Sequence, residues 1–266
     1  MKIFIINYKA YKEAFTRGVD IAKYAKSIEN KLRVNVIVAP PFTMLKDTMS
    51  IADTIAQGAD EVDPGAFTAH VTWLGVNVIV APPFTMLKDT MNIADTIAQG
   101  ADEVDPGAFT AHVTWFELKS AGIKGTLLNH SEKRYARPDG SIDYERLGEA
   151  VKKCTSAGLK TYVCVQNTEE AKQVLKMQPT AIAYEPPELI GGNISVSSAK
   201  PDIVKEFCDI VKSGSKSLPL IGAGIKSADD VKKSVDLGAE GILVASGVMK
   251  ADDPAAEIEK LAQSLA

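Results

Sequence analysis

Short apolar strands alternate with helices along nearly the whole chain, and this alternation restricts the possible fold more than any other feature of the sequence. Each apolar run is followed by a segment with helical spacing of its apolar residues, bounded by capping residues and glycines. Asn167 and Ser227 stand where helices are expected to begin, and Gly158 and Gly238 stand where they are expected to end. Such alternation predicts an α/β fold with a parallel sheet, because each helix returns the chain to the start of the next strand.

The number of predicted strands indicates a closed barrel. Counting one copy of an internal repeat, the strands are predicted at 2–7, 34–39, 54–59, 125–130, 159–166, 181–185, 218–224 and 241–246. Eight strand–helix units are the count of a (β/α)8 TIM barrel, and a chain of 266 residues is long enough for one such domain. We therefore expect a single TIM-barrel domain over residues 1–266.

An internal repeat disturbs this count. Residues 34–73 recur as 76–115 with 39 of 40 positions identical, and only Ser50 and Asn92 differ. Solenoid repeats share a pattern and not nearly every residue, and they need three or more units. We interpret the repeat as a recent tandem duplication, or as an artefact of construction or assembly, of 42 residues in a parent of 224.

The duplicated β-α-β segment is not expected to widen the barrel. Side chains fill an eight-strand interior, whereas a ten-strand interior would be empty. We expect eight strands to close and one copy to be extruded as an insertion. Only the second copy runs into a full helix at 114–121, so its second strand is expected in the barrel, and the source of the preceding strand stays open.

Composition and charge narrow the functional class. The net charge of −4 argues against a general nucleic-acid partner, and no apolar run is long enough to suggest a membrane partner. The chain begins directly with a predicted strand, so a cytoplasmic location is expected. Cys154, Cys164 and Cys208 are widely spaced, which favours buried free thiols over a disulfide framework or a zinc site.

One carboxylate stands where a barrel enzyme carries its chemistry. Glu185 ends the predicted strand 181–185 and is followed by Pro186, Pro187 and the flexible Gly191. Ligands bind at the carboxyl ends of barrel strands, and this composition is typical of a base beside a closing loop. The structural alternative is a surface carboxylate next to an ordinary proline turn.

Three further polar residues stand at equivalent places. Asn7 and Lys9 follow the first strand, and His130 ends the fourth. Taken singly, they would be a strand-end cap, a solvated cation and a core imidazole. His70 and His112 are one position counted twice by the repeat, so they carry no independent signal.

Four motifs occur together in the order of a known family. They are NYK at 7–9, GAFT at 65–68 and again at 107–110, LLNHSEKR at 127–134 and AYEPPELIGG at 183–192. The set resembles triosephosphate isomerase, and the short parent chain resembles its archaeal branch. The resemblance implies a glycolytic and gluconeogenic isomerase that interconverts dihydroxyacetone phosphate and D-glyceraldehyde 3-phosphate through an enediolate, without metal or organic cofactor.

The resemblance also implies roles for individual residues. Glu185 matches the base and His130 the neutral electrophile, while Lys9 and Asn7 match contacts to the substrate oxygens. Glu132 matches a further family acid. The implied phosphate-binding residues are Gly191, Gly222, Ala223, Gly224, Ala245, Ser246 and Gly247. Here Gly192-Asn193 and Ala245-Ser246-Gly247 depart from the commonest family pattern.

Partners and rival functions follow from the same resemblance. The family works as homodimers or homotetramers, with the GAFT loop reaching a neighbouring subunit. One rival is another phosphate-binding barrel enzyme, acting on a larger sugar phosphate, since glycine loops serve such enzymes equally well. Another is a non-enzymatic or impaired variant of the same fold, produced by the insertion.

Overall fold

The structure is a computed structural model that describes residues 2–9, 11, 13, 17–18, 20–21, 23–25, 27, 35–36, 76–81, 96–192 and 195–265. The described part is an α/β fold in which all paired strands run parallel in one nine-stranded sheet. The strands are β1 (Lys2–Asn7), β2 (Asn35–Val36), β3 (Val76–Ala81), β4 (Ile97–Ala98), β5 (Gly125–Leu128), β6 (Lys160–Val165), β7 (Ala181–Tyr184), β8 (Leu218–Ile221) and β9 (Gly241–Val244).

Helices follow each of the strands from β4 to β9. In chain order, those with complete bounds are α1 (Trp115–Ser120), α2 (Tyr144–Ser156), α3 (Thr168–Leu175), α4 (Val196–Ala199), α5 (Pro201–Gly214), α6 (Ala228–Asp236), α7 (Ser246–Met249) and α8 (Pro254–Leu265). A short 3-10 helix also spans Pro187–Leu189. The alternation predicted from the sequence is therefore confirmed for the described residues.

The sequence marks the helix starts with side-chain caps. Thr114 accepts a hydrogen bond from the backbone of Glu117, whose carboxylate binds back to the Thr114 backbone, and Ser227 forms the same capping box with Asp230. Asn167 caps α3 through a bond from the Glu170 backbone. These contacts satisfy amide groups that a helix start leaves without partners.

The sheet curls into a TIM barrel. The strand order is β2-β3-β1-β9-β8-β7-β6-β5-β4, so β1 lies between β3 and β9. Gln99, directly after β4, donates a hydrogen bond of 3.0 Å to the carbonyl of Ala81 at the end of β3. The carboxyl ends of β4 and β3 are therefore neighbours, although they stand far apart in the pairing order.

The two copies of the repeat hold different places. Strand β3, from the second copy, pairs along its whole length with β1, from Lys2↔Val76 to Asn7↔Ala81. Strand β4, also from the second copy, pairs with β5. Strand β2, from the first copy, pairs with β3 on the edge away from β1. The rest of the first copy lies outside the described residues, so its extrusion stays a prediction.

Several predicted boundaries are wrong by a few residues, and three strands end early, two of them for local reasons. Strand β5 stops at Leu128 because Asn129 takes a left-handed backbone with φ of 59°. Strand β9 stops at Val244 because Ser246 begins α7, and β8 stops at Ile221. The segment 186–200 after Glu185, where the sequence indicates a closing loop, contains the 3-10 helix and α4.

The core lies between the sheet and the inner faces of its helices. Phe4, Ile5 and Ile6 of β1 are fully buried, as are Tyr162 of β6 and Phe207 of α5. Burial of such large side chains stabilises by about 1.5–3 kcal/mol each. Within the described ranges, no helix is long and apolar enough to cross a membrane.

Candidate active site

A cavity opens at the carboxyl ends of the strands. It is lined by Asn7, Lys9, Tyr11, Glu185, Ile190, Gly191, Gly222, Gly224, Ile225, Leu243, Val244, Ala245 and Ser246. These residues follow or end β1, β7, β8 and β9, which are far apart in sequence and are brought together by the curl of the sheet. The cavity therefore occupies the place where barrel enzymes bind their ligands.

Glu185 is a buried carboxylate in this cavity. It follows β7 directly, is 4% exposed, and its backbone N–H donates to the carbonyl of Val165 at 2.9 Å. Burial raises the pKa of the Glu185 carboxyl, while the electrostatic interaction with His130, a hydrogen bond from the Cys164 thiol and the charge of Lys9 oppose that rise more weakly. A buried carboxylate with a raised pKa is suited to accept a proton from a bound ligand.

His130 faces Glu185 from the end of β5. Its Nδ1 accepts a hydrogen bond of 3.3 Å from the backbone N–H of Glu132. Because an acceptor nitrogen carries no proton, this bond assigns the proton of the neutral ring to Nε2. Nε2 lies 3.8 Å from Oε2 of Glu185.

These two facing atoms share a second property. Nε2 of His130 and Oε2 of Glu185 are both buried, and neither has a hydrogen-bond partner among the described residues. A buried polar atom without a partner costs about 1–3 kcal/mol. Two such atoms facing each other across 3.8 Å define a place where a ligand would supply the missing hydrogen bonds.

Asn129 orients the histidine. It has a φ of 59°, its Nδ2 donates to the carbonyl of Cys164 at 3.0 Å, and its Oδ1 accepts from the backbone of Tyr135 at 3.1 Å. Asparagine tolerates the left-handed region better than most residues. This kink ends β5 and turns His130 toward β7.

Lys9 brings a positive charge to the same cavity. Its Nζ contacts Oε1 of Glu132 at 2.9 Å, and its own side chain is 15% exposed while that of Glu132 is 63% exposed. Glu132 therefore reaches in from the surface and holds the ammonium at the rim. The backbone N–H of Lys9 donates to Oδ1 of Asn7 at 3.0 Å.

Some residues of the glycine-containing loops after β7, β8 and β9 line the cavity and others do not. Gly191 and Gly224 have φ values of 72° and 71°, which only glycine adopts without strain, and both line the cavity. Ala223 and Gly247 are not among the lining residues. The carbonyl of Ala223 accepts from Val196, and a Cβ at Gly247 would lie 2.9 Å from the carbonyl of Ile225. Ala223 and Gly247 therefore lie in the second layer of the loops, on the side away from the cavity, and support the residues that line it.

The structure brings together Asn7, Lys9, His130, Glu132 and Glu185, which were predicted from strand ends and motifs. It also shows site residues that the sequence did not reveal. Tyr11 lines the cavity, the Cys164 thiol bonds to Glu185, and Gln99 contacts the segment after β1. Gln99 directly follows β4, so the same strand-end rule would have found it.

The side chains in the cavity indicate a general class of enzyme. A buried carboxylate, a facing imidazole, a lysine and glycine loops on a parallel barrel form an acid–base enzyme site suited to an anionic ligand. Within the described ranges, no group of three or more His, Cys, Asp or Glu side chains could hold a metal ion.

Comparison with known proteins identifies the family. The sequence profile named "Triosephosphate isomerase" matches the chain in two pieces, residues 2–76 and 72–264. The curated triosephosphate isomerase of Thermoplasma volcanium is 43% identical over 260 residues, covering 97% of each chain. That of Methanothermus fervidus is 41% identical over 265 residues, covering 97% of this chain and 96% of its own. That of Methanocaldococcus jannaschii is 35% identical over 264 residues, covering 97% and 98%. The chain belongs to the triosephosphate isomerase family.

Proposed function

We propose that this chain interconverts dihydroxyacetone phosphate and D-glyceraldehyde 3-phosphate at the cavity around Glu185. As a member of its family the chain is an enzyme, an intramolecular aldose–ketose isomerase of glycolysis. The observation that carries the assignment of the site is the pair of buried atoms, His130 Nε2 and Glu185 Oε2, which face each other at 3.8 Å and have no hydrogen-bond partner in the part of the chain that the structure describes.

The reaction moves a proton between two adjacent carbons. In the proposed mechanism, Glu185 takes a proton from one carbon and returns it to the next, while the Nε2–H of His130 donates to the carbonyl oxygen that gains charge. The hydroxyl proton of the neighbouring oxygen passes to that oxygen, so the hydroxyl and the carbonyl exchange places. This division of roles is inherited from the family resemblance, and the buried gap between the two side chains supports it. Desolvation strengthens both steps, because hydrogen bonds to a developing charge are worth more in a site that excludes water.

Lys9 and Asn7 are proposed to contact the substrate oxygens, with Glu132 holding the ammonium of Lys9. The ammonium lies near the rim of the cavity, where it is suited to a phosphorylated three-carbon substrate. Backbone N–H groups of the glycine loops are proposed to bind the phosphate. The loop residues assigned to this role are Gly191, Gly222, Gly224, Ala245 and Ser246 in the lining, with Ala223 and Gly247 behind them. No cofactor is required.

The segment after Glu185 is proposed to act as a lid. Pro186 and Pro187 restrict its first part, and an ion pair between Glu188 and Lys200 joins its two ends. A lid would keep the enediolate away from water until it is reprotonated.

The proposal also covers the internal repeat and the oligomeric state of the chain. We infer one domain over residues 1–266 of an archaeal-type enzyme, carrying a tandem duplicate at 34–73 and 76–115. The loop carrying Gly107 to Thr110 supports self-association as a homodimer or homotetramer, because Phe109 is half exposed there. The three free, buried cysteines and the acidic net charge are consistent with a cytoplasmic location.

Substrate preference tests the proposed function. Turnover should be measured with dihydroxyacetone phosphate, with D-glyceraldehyde 3-phosphate and with a ribulose-type phosphate at equal concentrations. We expect conversion of both triose phosphates and none of the larger sugar. Conversion of the larger sugar alone would favour the rival barrel enzyme, and no conversion of any would favour the impaired variant.

A further inference from the structure

Gln99 contacts three oxygen atoms at the rim of the site. Its Nε2 lies 3.0 Å from the carbonyl of Ala81, 3.3 Å from Oδ1 of Asn7 and 3.3 Å from the carbonyl of Lys9. A side-chain amide has two N–H donors, so this one nitrogen shares its donors among three acceptors. The amide therefore joins the end of β4 to the end of β3 and to the turn that follows β1.

That turn holds Lys9 in an unfavourable backbone conformation. Lys9 has a φ of 48°, in the left-handed region, where the Cβ of a residue with a side chain crowds the following carbonyl oxygen. The Lys9 N–H donates to Oδ1 of Asn7, and the Lys9 carbonyl accepts from Gln99. Hydrogen bonds on both sides of Lys9 thus fix the backbone angles that decide where its ammonium points.

We propose that Gln99 is a positioning residue that aims Lys9 and Asn7 at the substrate. The inference rests on the proposed role of Lys9 as a substrate contact. All three contacts of the Gln99 amide go to oxygen atoms of the protein, so Gln99 acts through Lys9 and Asn7 and not by touching substrate. Without its amide, the Lys9 carbonyl loses this partner and the turn is free to relax toward an ordinary backbone conformation.

Three oxygen acceptors require a donor at this position, and that requirement gives a specific test. A glutamate has the shape of glutamine, but its ionised form would place a fourth oxygen, with a negative charge, against the other three. Repulsion by these oxygens would raise the pKa of such a carboxyl. On protonation it would donate again, so the defect of Gln99→Glu should shrink as pH falls.

The repeat supplies a matched control. Gln57 stands in the first copy at the position of Gln99, within the same local sequence, and lies outside the described residues. If the second copy forms the site as the structure shows, Gln57→Glu should leave the kinetics unchanged. The two variants have the same composition and nearly the same sequence context.

The experiment measures kcat and KM for D-glyceraldehyde 3-phosphate at pH 8 and pH 6, together with the melting temperature. We expect Gln99→Glu to raise KM and to lower kcat/KM about 10- to 100-fold at pH 8, the scale of a misplacement of about 1 Å. At pH 6 the ratio of variant to parent should recover several-fold. Gln99→Met, which has no donor at any pH, should show the loss without the recovery, and this keeps the test valid if the glutamate variant folds poorly.

Parent-like KM and kcat/KM in folded Gln99→Met and Gln99→Glu would overturn the inference. An equal loss in Gln57→Glu would overturn the assignment to the second copy. Lys9→Met separates the positioning role of Gln99 from the proposed role of Lys9 as a substrate contact. If it loses activity while the Gln99 variants keep theirs, only the positioning role fails, and if Lys9→Met stays active, the proposed role of Lys9 itself fails.

Discussion

Gly222 lies directly against Glu185: a Cβ at position 222 would stand 2.6 Å from Cγ of Glu185 and 3.0 Å from its Oε1. The backbone N–H of Gly222 also donates to the carbonyl of Tyr184, so the loop after β8 is tied to the end of β7. The position of the carboxylate therefore depends on the absence of a side chain on the neighbouring strand.

Gly222→Ala should lower kcat by about 100-fold because the added methyl group pushes Glu185 out of line with the substrate. Turnover and a melting curve on the same preparation separate a displaced carboxylate from a failed fold. Gly140→Ala is a suitable control, since a Cβ there would meet nothing within 4 Å, although its φ of 85° carries some strain. Native turnover in Gly222→Ala would show that Glu185 has another position available.

Glu185→Asp shortens the proposed base by one methylene and should lower turnover by orders of magnitude with little change in substrate affinity. Steady-state kcat and KM test this directly. Glu149→Asp, at a half-buried position of α2, makes the same chemical change away from the cavity and should behave as the parent. Near-native turnover in the first variant would remove Glu185 from the role of base.

The raised pKa of Glu185 has opposite consequences for activity and stability. Activity requires the ionised form, so kcat/KM should fall on the acid side at a pH above the ordinary range of a glutamate. Stability has the opposite pH dependence, because the folded state binds this proton more tightly than the unfolded state does. The free energy of unfolding therefore falls as pH rises from the unfolded pKa of Glu185 through its folded pKa. Glu185→Gln should therefore melt at a higher temperature than the parent at neutral pH and be inactive. A lower melting temperature would contradict the burial cost assigned to this charge.

Asn129→Ala should destabilise the protein by about 2–4 kcal/mol, because it removes two buried hydrogen bonds and leaves alanine in the left-handed region. Denaturant unfolding gives the free energy. Asn129→Gly keeps the backbone freedom and loses only the hydrogen bonds, so it should recover part of the loss. Equal stability of the alanine and glycine variants would mean that the backbone conformation carries no strain.

Deletion of residues 34–75 should leave the described barrel intact apart from β2, because β3 and β4 both come from the second copy. We expect the shortened chain to match the full chain in turnover and in oligomeric state by size-exclusion chromatography. Lower activity of the shortened chain would mean that the first copy contributes to the site. A change of oligomeric state alone would locate its effect in the assembly.

The sequence predicted the strand–helix alternation because apolar spacing and caps are local signals. Asn167, Ser227 and Gly158 stand where the structure begins or ends helices. Glu185, His130 and Lys9 were found because strand ends meet at one edge of a parallel barrel. Cys164 and the close contact at Gly222 are not predicted, because both depend on neighbours that only the curled sheet supplies. Gln99 stands at a strand end, where the same rule applies, but its role depends on the contact between β4 and β3 that the curl of the sheet creates. The α4 helix was missed because four residues carry too little periodicity.

Strand β2 pairs with the edge of β3 and carries part of the sequence VNVIVA, which the chain contains at 34–39 and again at 76–81. During synthesis the first of these identical segments leaves the ribosome before the second, when β1 is already available as a pairing partner. The pairing of β1 with β3 is thus the later of two chemically equal choices, and if the earlier segment pairs with β1 first, the chain reaches the observed pairing by strand exchange. The rate at which activity appears after synthesis would then be set by strand exchange, and a chain with a single copy would skip that step.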